Sequence, residues 1–250
     1  MKYIFALLSL VVFSNGSNAL RSLEESSISR FNDYAVAVAN TVSAFYMYGL
    51  TDKDPIYKER VMHYKNLSDR AARLLMANRE FKSVVSKWED ISEIIIRQSL
   101  GQQGHLDFQS NLLIREYVTS LYLHSNRERE QDSLAGKINY ISRNIAFMSA
   151  RVFDLVGTGY NGQHVNDFDR QLNLEMLDSN INTFLEYAIE HSAPHEKLKY
   201  QRLLNKYFIV SRNFMNHREQ FLYFITYKNY LSIFNNLYQE TTKQSYIAAD

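Results

Sequence analysis

The chain has no cysteine, only two prolines and only eight glycines in 250 residues. Without cysteine there is no disulfide, no thiolate nucleophile and no cysteine-held zinc. A G-x-S-x-G sequence is also missing, so the strand-to-helix turn that exposes a catalytic serine has no counterpart. With so little proline and glycine, long stretches contain nothing that interrupts a helix. Apolar runs long enough to cross a bilayer are absent as well. The densest one, 221–238, is interrupted by Thr226, Lys228, Asn229, Ser232, Asn235 and Asn236, whereas a span needs about 20 apolar residues.

What is present begins with an export pattern. Lys2 precedes an apolar run ending at Phe13, and Ser17-Asn18-Ala19 places small residues at both recognition positions of a signal peptidase. This is the layout of a cleaved signal peptide. Residues 1–19 are therefore expected to be removed, with 20–250 forming a single all-helical domain, periplasmic or secreted. No cysteine follows the cleavage point, which excludes a lipoprotein anchor. Lys2 is the one charge in the leader. Without it the 28 basic residues become 27, equal to the 27 acidic ones. A neutral total gives no electrostatic footprint for nucleic acid or an anionic membrane. Asn66-Leu67-Ser68 is a lone glycosylation sequon, as often as chance supplies one.

Helical periodicity runs through the remainder. Ile28, Phe31, Ala35, Val38, Val42 and Phe45 step 3-4-3-4-3, the stripe of a bundle helix over about 26–48. Asp54 caps the next helix and Pro55 opens it, where a missing N–H costs nothing. Its apolar face continues to Leu100 if unbroken, with Asn78 as the competing break. Leu134, Ile138, Ile141, Ile145, Met148, Val152 and Leu155 mark another helix within 107–156, and the polar stretch around 126 suits an exposed bend. Asn166 or Asp167 is expected to cap a helix reaching His191. A last helix over 195–243 carries two apolar stripes and from Phe221 onward is apolar nearly all round, the mark of a buried or covered helix. No segment alternates with period 2. The expected fold is all-α: an elongated antiparallel bundle of five to seven long helices, arranged as one bundle or as two stacked sub-bundles.

The chemistry-bearing patterns are few. Gly157-Thr-Gly159-Tyr-Asn-Gly162 matches G-x-G-x-x-G, but a helix precedes it where a dinucleotide site needs a strand. His164, Asp167 and Asp169 supply one nitrogen and two carboxylates within six residues, although helix capping already accounts for the aspartates. The expectation is no metal and no cofactor. His217 lies on the apolar stripe of the last helix, with Tyr207, Tyr223, Tyr227 and Tyr230 on the same segment. Aromatic walls with a few polar tips can hold a small ligand, and an ordinary aromatic core has the same sequence. These five residues are the candidate ligand site.

Long helices without a catalytic motif point to an exported binding or interaction protein, non-catalytic. Its partner is a small ligand between helices or a protein along a helix face, with no nucleic acid. A secreted membrane-active or toxin-like bundle is the alternative, resting on the aromatic last helix. A metal- or cofactor-dependent enzyme is the third reading. In architecture alone the pattern resembles the helical periplasmic sensory bundles of bacterial receptors, without a shared motif.

Overall fold

A computed structural model of the chain describes residues 28–100, 107–125, 134–158, 173–215 and 223–247. All regular structure among them is helical. Helix α1 covers 28–50. It is followed by α2 (Pro55–Leu75), α3 (Arg79–Val85), α4 (Trp88–Leu100), α5 (Phe108–Ser125), α6 (Leu134–Gly157), α7 (Leu174–His191), α8 (Pro194–Met215) and α9 (Tyr223–Ile247). The leader expected at 1–19 lies outside the described residues.

Local chemistry sets several boundaries. Asp52 and Lys53 adopt φ of 49° and 66°, left-handed values that reverse the chain between α1 and α2. The Asp54 carboxylate then accepts the Ile56 amide at 3.0 Å, with Pro55 in the first turn, as the sequence leads one to expect. Asn78 likewise caps α3 by accepting from Glu80 N at 2.9 Å. The single long helix to Leu100 is therefore corrected to three shorter ones. Trp88 Nε1 donates to Asp69 at 2.8 Å, yet 19 residues of unbroken helix would separate them by about 28 Å. The chain has folded back on itself.

Two further boundaries differ from expectation. Helix α7 is capped by Asn173, which accepts from Glu175 N and Met176 N; Asn166 and Asp167, the expected caps, lie outside the described residues. The last helix is two: α8 and α9 pack side by side, and Lys206 Nζ reaches Ser232 Oγ at 3.0 Å. A continuous helix would hold those residues about 39 Å apart. The expected all-α bundle is what the structure shows, with more and shorter helices among the described residues than the five to seven long ones expected.

The core is organised around two enclosed helices. Every residue from 34 to 48 of α1 is buried, and so is every residue from 141 to 154 of α6. Small residues allow it: Ala35, Ala37, Ala39 and Ala44 on α1, Ala146 and Ala150 on α6. Polar residues inside α1 satisfy themselves locally. Thr41 Oγ1 donates to Ala37 O at 2.8 Å and Ser43 Oγ to Ala39 O at 2.9 Å, so their burial leaves no orphaned hydroxyl. At the end of α6, a Cβ on Gly157 would lie 2.9 Å from Tyr46 Cδ1. Only glycine lets the two helices approach so closely there.

Amphipathic helices cover this pair. Phe31 of α1 stacks on Phe81 of α3, ring centres 4.3 Å apart. Helix α6 packs on α5, α7 and α9, while α8 packs on α7 and α9. Trp88 stacks on Tyr117 and meets Tyr34 edge-on. Helix α9, expected to be buried in the core or covered by a partner, is amphipathic in this fold: Tyr227, Tyr230, Ile233 and Leu237 face inward, while Phe224, Ile225, Lys228 and Asn235 are exposed.

Candidate functional site

The most charged place inside the protein lies where α1, α5 and α6 meet. Arg115 of α5 grips Asp154 of α6 with two bonds, Nε to Oδ2 at 2.8 Å and Nη2 to Oδ1 at 3.0 Å. Arg151, one turn before Asp154, donates to Oδ2 at 2.7 Å. All three side chains are 6–7% exposed. A fork-to-carboxylate pair is among the stronger hydrogen-bonded arrangements, and burying it is tolerable only because the partners are so well matched. Nearby, the Tyr46 hydroxyl donates to Asn111 Oδ1. Burial, followed by the Asp154 charge, holds the Tyr46 hydroxyl well above its ordinary pKa.

This arrangement acts as a clamp. Its charged groups are turned toward each other. The gap between Val42 and Tyr46 of α1, Ile114 and Val118 of α5 and Ala150 of α6 has about 10 Å³ of room for water centres. That is the space of a single water, too little for an organic ligand.

The tyrosines singled out as a ligand site divide into two settings. Tyr207 of α8 donates to Asp178 Oδ1 at 2.7 Å and touches Met148 Sδ at 3.1 Å. Ser211 donates to the same carboxylate oxygen at 2.6 Å. Tyr207 therefore faces α6 and α7, and burial plus the Asp178 charge raise its pKa. Tyr227 and Tyr230 face elsewhere. Tyr227 packs edge-on against Tyr57 of α2 and Phe153 of α6, each at 5.4 Å. The guanidinium of Arg60 lies 5.2 Å from its ring centre, and its hydroxyl is buried beside that charge. Tyr230 donates to Asn40 Oδ1 of α1 at 3.3 Å. Burial raises the pKa of both. His217 lies outside the described residues. Tyr223 opens α9.

His164, Asp167 and Asp169 also lie outside the described residues, as do Gly159 and Gly162. Among the described residues no three His, Asp or Glu side chains converge as a metal site would require. In the sequon, Asn66 is exposed, while Ser68 is buried and its hydroxyl donates to Tyr64 O at 2.9 Å.

The Arg115–Asp154–Arg151 clamp was not anticipated. The spacing of Arg151 and Asp154 is one helical turn and readable, but Arg115 is 39 residues away and no local pattern joins it to them. No protein-family model matches this chain, and no curated protein or solved structure matches it.

Proposed function

We propose that this is an exported, non-catalytic interaction protein that works through its outer helix faces and engages a partner protein. The observation that carries the reading is an apolar patch where α2 and α9 begin. Phe224, Ile225 and Ile56 are 53%, 49% and 48% exposed, and the Phe224 ring lies 6.4 Å from that of Tyr57, the neighbour of Ile56. Exposed apolar side chains gathered in one place mark interaction sites more often than scattered ones do. The interior supports the same reading, because the buried charges satisfy each other around room for one water. No helix among the described residues is long and apolar enough to cross a membrane, which favours a surface role over insertion.

Site-directed photocrosslinking tests this. A photoreactive side chain at position 224 or 56 should give one discrete adduct in the native compartment, and none at exposed Asn235 on α9. Equal labelling at all three positions, or none at 224 and 56, refutes the patch. A metabolite panel provides the opposing arm. A ligand held between helices at a hundredfold excess over its Kd would add about 2.7 kcal/mol, or about 5–10 °C in Tm for a chain of this size. A rise of that order moves the function into the interior.

A further inference from the structure

The neutral total conceals a segregated surface. From residue 70 to residue 87, through the turn joining α2 to α3, the chain carries Arg70, Arg73, Arg79, Lys82 and Lys87 against a single acid, Glu80. All five cations are exposed, and among the described residues none pairs with a carboxylate. Acids resume at Glu89 and Asp90, in the first turn of α4, and bound the patch on that side.

Two large apolar side chains stand among these charges. Leu74 is 63% exposed and Met76 41%, on either side of buried Leu75. They sit at the end of α2 and in the turn that leads to α3. Helix electrostatics explains part of this placement and not the rest. Arg73 lies in the last turn of α2, where a cation suits the dipole. Arg79, however, is the first residue of α3, at the positive end, where the helix itself disfavours it.

We infer that the α2–α3 turn, with exposed Leu74 and Met76 and the five cations carried by the same stretch of chain, is a docking surface for an anionic lipid bilayer. The inference rests on the surface-acting reading above and adds a second kind of partner. Peripheral membrane contact combines these two features: apolar tips enter the headgroup boundary while basic side chains meet lipid phosphates. The exposed leucine and methionine have no role against a soluble polyanion such as nucleic acid. Each cation near an anionic leaflet strengthens partition by about fivefold, and salt screens the effect.

Co-sedimentation of the full chain with vesicles tests the assignment. Binding is expected to phosphatidylcholine vesicles containing phosphatidylglycerol, not to pure phosphatidylcholine, and to fade in high salt. Arg73→Glu with Arg79→Glu should weaken it by more than about 25-fold. Leu74→Ser with Met76→Ser should weaken it at unchanged charge. Both pairs are exposed, so an unchanged Tm keeps either result interpretable. No binding to anionic vesicles, equal binding to neutral ones, or binding indifferent to the charge reversal overturns the proposal. Tight heparin or DNA binding, with vesicle association unaffected by the serine pair, reassigns the turn to a soluble polyanion. None of these outcomes touches the crosslinking result at positions 56 and 224, so the two ideas fail separately.

Discussion

Raising the pH should unfold this protein abruptly, and the buried tyrosines set where. Tyr34, Tyr46, Tyr117, Tyr207, Tyr227 and Tyr230 are all 5% exposed or less. Burial is the first cause that lifts each hydroxyl pKa above 10. Below pH 10 folded and unfolded chains both carry the proton, and the native state loses nothing. Above pH 10 only the unfolded chain releases it, so ionisation stabilises that state. At pH 10.5 the effect is about 0.8 kcal/mol per tyrosine, or about 5 kcal/mol for six. At pH 11 it is about 1.4 kcal/mol each, or about 8 kcal/mol in all. A domain with about 5–15 kcal/mol of stability should therefore unfold cooperatively between about pH 10.5 and about pH 12. Tyrosinate absorbance and far-ultraviolet circular dichroism, followed together, check this. At least six of the 18 tyrosines should ionise only as the helical signal collapses. If all 18 ionise smoothly while the helices persist, the hydroxyls are not sealed as described and the reasoning fails.

Two substitutions probe the interior by urea unfolding. Asp154→Asn deprives Arg115 and Arg151 of their shared carboxylate and should cost about 3–5 kcal/mol, whereas replacing all three by Met, Met and Leu should recover most of it; a loss under about 1 kcal/mol from Asp154→Asn contradicts the clamp. Glycine to alanine should act in opposite directions at two helical sites. Gly49→Ala meets nothing within 4 Å and should gain up to about 1 kcal/mol, while Gly157→Ala strikes Tyr46 and should lose about 1–2 kcal/mol; equal effects would show that α1 and α6 do not approach as closely as described.

Legibility in the sequence followed the range of the interaction. All-α architecture, the Asp54-Pro55 start and the break at Asn78 depend on neighbours a few residues apart, and each can be read directly. The reversal that splits 195–243 depends on α9 finding α8, which periodicity does not encode. Burial of α1 left a signal that a stripe-only reading passes over: 34–48 contains no charged residue. In α6 the corresponding signal was masked, because Arg143, Arg151 and Asp154 look like a solvated face until Arg115 is placed beside them. The sequence singled out the tyrosines of α8 and α9 as candidate ligand contacts, and in the fold the hydroxyls of Tyr207 and Tyr230 meet side chains of other helices. Their partners, Asp178 and Asn40, come from other helices and only the fold supplies them.

The enclosure of α1 also governs when the chain can fold. Tyr230 closes over Asn40 across 190 residues. A ribosome adding about 5–20 residues per second needs about 10–40 s to make that distance. Throughout that interval the charge-free run 34–48 has emerged while α9, the last part of its cover, has not. The nascent protein therefore completes the enclosure of this uncharged segment only when α9 arrives. This delays native packing, keeps the chain open for whatever must thread or escort it, and makes the final helix the step that commits it to fold.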